Sequence, residues 1–242
     1  MKLTEIHVFK SIDSLTDLGI RWLTKKTNEK ASVSVALSGG TTPLVFFDRL
    51  CHKDWSRVQL DRLKLFWVDE RCVEPNHPES NYGNAFKTLL EHIPIPEKNI
   101  FRIEGENDPI MESERYAQIL GKELPLEDGF PQLDLILLGL GNDGHTASIF
   151  PGNEHLFESE KWCVTTEHPT TGEKRITMTG SLINRAKGIA FVVTGASKSC
   201  MIAEMAVPHR WNRYPADHVE PQKGYRKWLL DQDAGSLIIR DI

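Results

Sequence analysis

Residues Leu133 to Gly152 read LDLILLGLGNDGHTASIFPG. The stretch opens on an apolar run, LDLILL, with the length and composition of a buried strand. Glycines at 139, 141 and 144 break that run, and Asn142, Asp143 and His145 stand among them. Thr146 and Ser148 follow, and Pro151-Gly152 closes the segment. Glycine lets the backbone turn sharply and lets a ligand come close. In open α/β sheets, ligands bind beyond the carboxyl ends of the strands. A strand that ends this way predicts an α/β fold with a site built around Asp143 and His145.

Outward from this stretch, strand and helix signals alternate along the chain. Ile6 to Phe9 is a candidate first strand, and Asp13 to Glu29 has helical spacing with Asp13 placed to cap it. SVSVAL (Ser32 to Leu37) reads as a strand and runs into Ser38-Gly39-Gly40-Thr41-Thr42-Pro43. Pro43 suits the first turn of a helix reaching Leu50. LKLFWV (Leu63 to Val68) is a further strand that delivers Asp69-Glu70-Arg71, and Ser80 or Asn81 can cap a helix to about Glu91. Phe101 to Ile103 is a brief strand and Met111 to Leu124 a helix. After the central stretch, Trp162 to Thr166 and Arg175 to Thr179 read as strands and Ser181 to Ala186 as a short helix. Gly188 to Thr194 is a buried strand that ends in Gly195-Ala196-Ser197-Lys198, with a helix to about Met205. Val207 to Gln222 is loop-like, Tyr225 to Asp231 reads as helical, and Leu237 to Arg240 as a last strand. This alternation predicts one doubly wound α/β domain over 1–242, with a mostly parallel sheet and helices on both faces.

Composition narrows the function classes. The chain has 242 residues, 40% hydrophobic and 26% charged, with a formal net charge of −5. That balance argues against general affinity for nucleic acid, while leaving room for a local basic pocket. No apolar run approaches a membrane span, and MKLTEIHVFKSIDSL has no signal-peptide pattern. Cys51, Cys72, Cys163 and Cys200 are scattered with no CxxC pair, which suits reduced thiols in a cytoplasmic protein better than disulfides or a zinc site.

Four strands end in chemically loaded loops: SGGTTP, DER, GLGNDGH and GASK. In a parallel sheet such loops share one edge and can converge. The Ser38 to Pro43 loop leads into a helix N-terminus, whose free N–H groups attract an anion. Lys198 stands at the start of a helix, where the dipole disfavours it unless an anion is bound. GLGNDG matches GxGxxG, but Pro151-Gly152 cuts the helix that a dinucleotide site requires, and no strand leads to an acid about twenty residues on. His145 is the residue suited to general-base work, since unperturbed imidazole titrates near roughly 6.5. Asp143 lies two residues away, a spacing that points the two side chains to different sides of an extended or turning backbone.

Taken together, SGGTTP, WVDERCVEPNHPESNYGNAF and DLILLGLGNDGHTASIFPG resemble the 6-phosphogluconolactonase family, whose fold is shared with glucosamine-6-phosphate deaminase. RITMT, GASK and the late PADHV…W segment extend the resemblance over nearly the whole chain. It implies a deaminase/isomerase-like, modified Rossmann fold and hydrolysis of a sugar-phosphate lactone without metal or organic cofactor. His145 is then the implied general base and Asp143 the residue that positions or charge-stabilises it. Ser38, Gly39, Gly40, Thr41, Arg71, Arg175 and Lys198 are the implied substrate and phosphate contacts. Backbone near Gly39-Gly40 and Gly141 is implied to line the site and donate N–H groups to a developing oxyanion.

Two other readings stay open. One is a sugar-phosphate isomerase or deaminase; there the central motif continues toward Asn-Glu-Pro, where this chain has ASIFPG. The other is a sugar-phosphate sensor without turnover, which would need a DNA-binding partner domain.

Overall fold

The computed structural model describes residues 5–206 and 213–238. In chain order its strands and helices are β1 (Glu5–Phe9), α1 (Ile12–Glu29), β2 (Val33–Leu37), α2 (Thr41–Cys51), β3 (Leu63–Trp67), β4 (Asp69–Arg71), α3 (Asn81–Thr88) and β5 (Ile100–Phe101). Then come α4 (Pro109–Glu123), β6 (Leu126–Glu127), β7 (Phe130–Pro131), β8 (Leu135–Leu138), β9 (Cys163–Glu167), β10 (Lys174–Met178), α5 (Gly180–Ile183), β11 (Gly188–Val193), α6 (Ser199–Ala206) and β12 (Tyr225–Asp231).

The main sheet has the order β1-β12-β11-β8-β2-β3-β5, and neighbouring strands are parallel throughout. β2 and β11 are buried at every position, as expected for strands covered on both faces. A smaller antiparallel sheet, β4-β10-β9, stands beside the main one, and β6 and β7 form a short hairpin. The mostly parallel α/β architecture expected from the alternating pattern is therefore present.

Several local readings change. Tyr225 to Asp231 is a strand, not a helix. Trp228, Leu229 and Leu230 are consecutive buried residues, and Trp228 stacks on Phe191 of β11 with ring centroids 4.1 Å apart. A strand buried on both faces loses its alternation, and over seven residues its apolar run cannot be told from a helix. Leu237 and Ile238 lie in a turn, and the remainder of the expected last strand falls outside the described residues. The cap of α1 is Ser11, whose hydroxyl accepts from the Ser14 N–H, rather than Asp13. Ser80 caps α3 in the same way. Asp69-Glu70-Arg71 is itself a strand and pairs with Thr177-Ile176-Arg175. The loop-like segment is described from residue 213 onward and contains a 3-10 turn at Pro215–His218.

At the amino end of the main sheet, Asp134 is buried and bridges two strands. Its carboxylate accepts from the Ser34 N–H at 3.1 Å, from Lys30 at 2.5 Å and from Lys187 at 3.1 Å. Burial alone would raise this carboxyl, but the two ammonium groups and the Ser34 N–H outweigh it and hold it below its ordinary range.

Candidate active site

At the carboxyl edge of the main sheet, the loops after β2, β8 and β11 and the short strand β4 enclose a cavity of about 490 Å³. That volume is ordinary for a small-molecule site. Ser38, Gly39, Gly40, Thr41, Arg71, Gly141, His145 and Lys198 all line it. Eight of the expected residues, drawn from four separate places in the chain, are thus brought to one wall.

The turn after β8 creates the central pair. Gly144 has φ +81°, which a side-chain-bearing residue rarely adopts. The chain closes on itself there: the Gly141 N–H donates to the His145 carbonyl at 2.8 Å. This reversal brings His145 Nδ1 to 2.5 Å from Asp143 Oδ1, and the His145 N–H donates to the same oxygen at 3.1 Å. Spacing had pointed the two side chains apart; the left-handed glycine between them brings them together. The imidazole lies so close over Gly141 that a Cβ there would stand 2.1 Å from Nδ1. Phe150 packs against the ring, with 4.7 Å between centroids. Burial works to raise the Asp143 carboxyl, but hydrogen bonds and charge from His145 prevail and lower it.

Two expectations about donors change. Because Gly141 donates its N–H within the turn, it lines the site by close approach and not as an oxyanion donor. The Ser38 hydroxyl donates to the Leu137 carbonyl at 2.9 Å, so its proton ties β2 to β8 while its lone pairs remain available. The N-cap of α2 is Gly40, with no side chain bonded to the first N–H groups of the helix. These amides begin at the cavity wall, in a helix long enough to carry a dipole.

The cations are distributed unevenly. Lys198 Nζ donates to Asn142 Oδ1 at 2.5 Å, and burial lowers its pKa against the pull of Asp143. Arg71 donates from Nη1 to the Glu79 carbonyl, and its Nε is buried without a partner among the described residues. Arg175 stands behind the wall, directly opposite Arg71 in the β4–β10 ladder, and is not among the residues lining the cavity. It is 5% exposed, bonds Glu173 at 2.7 Å and also has an Nε without a partner among the described residues. Burial and the neighbouring Arg71 charge both lower its pKa. Opposed residues of an antiparallel pair share a face, so the two guanidinium groups reinforce one positive region.

Some lining residues were not expected as site residues from the sequence. Asn142, inside the central motif, is the partner of Lys198, and Thr194 bonds Thr42 at 2.9 Å across the cavity rim. Asp69 lines the wall and accepts from Ser148 at 2.7 Å. Asn81 also lines it, and its side-chain amide donates to the Asp69 carbonyl at 2.9 Å. Glu70, 1% exposed, accepts from the N–H groups of Arg71, Asn81 and Tyr82 and from the Ser80 hydroxyl, joining α3 to the wall. Burial pushes the Glu70 carboxyl up to about 7 against those N–H bonds. The available signal was the Ser80-Asn81 helix start following DER, which marks a cap but not its partner.

Residues 10–228 match the family described as glucosamine-6-phosphate isomerases/6-phosphogluconolactonase. A 6-phosphogluconolactonase of Haemophilus influenzae is 40% identical over 208 residues, covering 85% of this chain and 88% of that protein. One of Treponema pallidum is 39% identical over 204 residues, covering 84% and 85%. Among solved structures, the crystal structure of the devB protein superposes with a TM-score of 0.92 at 36% identity, covering 97% of this chain and 99% of that one.

Proposed function

Because the chain belongs to the glucosamine-6-phosphate isomerase/6-phosphogluconolactonase family, we propose that it hydrolyses 6-phospho-D-glucono-1,5-lactone to 6-phospho-D-gluconate, with His145 as general base. The observation that carries the mechanism is the Asp143–His145 hydrogen bond, with His145 on the wall of a cation-bearing cavity and Asp143 not among the lining residues. An ionised carboxylate only accepts, so Nδ1 must carry the proton in that bond. Nε2 then keeps its lone pair and can take a proton from water.

In the proposed step, the water oxygen bonds to the lactone carbonyl carbon as Nε2 takes the proton. The carbonyl oxygen becomes an oxyanion. When it re-forms the double bond, the bond from the carbonyl carbon to the ring oxygen breaks, and the imidazolium returns the proton to that leaving oxygen. The acid formed then ionises and releases one proton. Asp143 stabilises the transient imidazolium, a role that favours the transition state over the ground state.

The substrate phosphate is anchored by Lys198, Arg71, the Ser38–Thr41 loop and the uncapped start of α2, with Arg175 adding charge from behind. A δ-lactone is intrinsically reactive, so general-base assistance worth roughly 10²–10⁴-fold, with orientation from the remote phosphate, is sufficient chemistry. Proton release from freshly made 6-phosphogluconolactone tests the reaction, with unphosphorylated gluconolactone as the control. Acceleration limited to the phosphorylated lactone is expected. A rate equal to the uncatalysed background would overturn the proposal.

A further inference from the structure

Tyr214 lies outside the cavity wall, yet it touches both the turn that carries His145 and the helix that follows Lys198. Its ring covers Gly144: a Cβ built on that glycine would stand 2.4 Å from the ring's Cδ1. Two residues on, the Ala216 N–H donates to the Gly144 carbonyl at 3.1 Å, so the segment holds the turn twice. The other end of the side chain leads elsewhere. The Tyr214 hydroxyl donates to Glu204 Oε2 at 2.8 Å, and Arg213 Nη1 reaches the same oxygen at 2.6 Å. Glu204 belongs to α6, the helix that starts immediately after Lys198. Lys198 in turn bonds Asn142, two residues before Gly144. The contacts form a closed ring: His145 turn, Lys198, α6, Glu204, Tyr214 and back to the turn.

The segment is itself anchored. The N–H groups of Arg213 and Tyr214 both donate to Asp217 Oδ2, at 3.2 and 3.1 Å, fixing the entry to the 3-10 turn. Asn184 holds the exit, donating to the His218 carbonyl and accepting from the Glu220 N–H. A side chain fixed at its base and bonded at its tip makes a continuous physical link between the elements it joins.

We propose that Tyr214 is a positioning residue that couples the His145 turn to the helix behind Lys198, so that phosphate anchoring and alignment of the base depend on one another. The proposal rests on the lactonase reading of the site for its effect on rate. The ring and the hydroxyl act on different steps. The ring keeps the turn in place and governs kcat. The hydroxyl holds α6, hence Lys198, and governs affinity for the phosphorylated ligand.

The test compares wild type with Tyr214→Phe, Tyr214→Ala and Glu204→Gln, each checked for folding by circular dichroism. Kinetics on 6-phosphogluconolactone are paired with calorimetric binding of 6-phosphogluconate. Tyr214→Ala is expected to lower kcat about tenfold or more, in keeping with the sensitivity of reactions to small misplacement. Tyr214→Phe should restore kcat to near wild type while KM and the product Kd stay raised severalfold, and Glu204→Gln should reproduce that second effect. A folded Tyr214→Ala enzyme with wild-type kcat and KM overturns the coupling. So does a Tyr214→Phe enzyme whose kcat is no better than that of Tyr214→Ala. Absence of turnover by wild type strikes at the reaction instead. The coupling is then read without substrate, from NMR of the His145 ring and the Lys198 ammonium. Unchanged resonances of both in folded Tyr214→Ala overturn it.

Discussion

At the scale of single residues, the chemistry depends on which nitrogen of His145 is free. The Asp143 carboxylate is held below its ordinary range by its bonds to His145, so it stays ionised near neutrality and keeps the proton on Nδ1. His145→Ala is expected to lower kcat by roughly 10²–10⁴-fold while leaving the unfolding temperature within a few degrees of wild type, because the ring is partly exposed. Calorimetry and the proton-release assay measure the two effects separately. Asp143→Asn keeps the shape and removes the charge. An asparagine turned to donate from its amide would demand the lone pair of Nδ1 and place the proton on Nε2, disabling the base. A fall in kcat of about tenfold or more is expected, with KM little changed, and a kcat equal to wild type would show that Asp143 does not act on the ring. Each of these residues was legible in the sequence as a chemical type. Their contact was not, because it depends on the φ of Gly144, a property that spacing does not carry.

At the scale of elements, the sheet was readable wherever residues alternate or strands end in glycines. β2, β3, β8 and β11 fall close to their expected positions, and the loops that follow β2, β8 and β11 meet in the cavity. β12 was not readable as a strand, because an interior strand with Trp228, Leu229 and Leu230 all buried has no polar face to reveal its period. The pairing of β4 with β10 was likewise hidden. It sets Arg71 opposite Arg175 across more than a hundred residues of chain, a relation no local pattern encodes. Asp134 joins elements in the same long-range manner, tying the start of β2 to the start of β8 and gathering Lys30 and Lys187. Asp134→Asn should destabilise the fold by about 1–3 kcal/mol at neutral pH, since it strips a buried charge from two partly exposed lysines. The sign of the pH effect follows from the lowered pKa. The carboxylate's contribution is fully present above its unfolded value of roughly 3.9 and is lost as pH falls through the lower folded value. Urea midpoints of wild type and variant should therefore stay apart from pH 5 to 8 and converge below about pH 4. A gap that persists in acid would assign the effect to packing.

At the scale of the whole molecule, the proposed reading requires an acidic protein to attract an anionic ligand. The net charge is −5, so attraction cannot come from the overall field and has to come from local geometry. Four features supply it at one edge of the sheet: Lys198, Arg71, Arg175 and the uncapped start of α2. Burial lowers the pKa of both Lys198 and Arg175, and the Nε atoms of Arg71 and Arg175 are buried without partners among the described residues. On the proposed reading, a bound phosphate stabilises the folded state by mass action. At 100 times Kd the gain is about 2.7 kcal/mol, which for a chain of this size raises the unfolding temperature by about 5–10 °C. 6-Phosphogluconate, the expected product, should produce that rise, and gluconate should not. Lys198→Met should leave the unliganded unfolding temperature unchanged or slightly higher, because it removes a charge that burial disfavours and whose bonded partner is the neutral Asn142. At the same ligand concentration it should lose more than half of the rise. If the variant keeps the full rise, the phosphate is held at Arg71 and the start of α2, and Lys198 serves the turn through Asn142 instead.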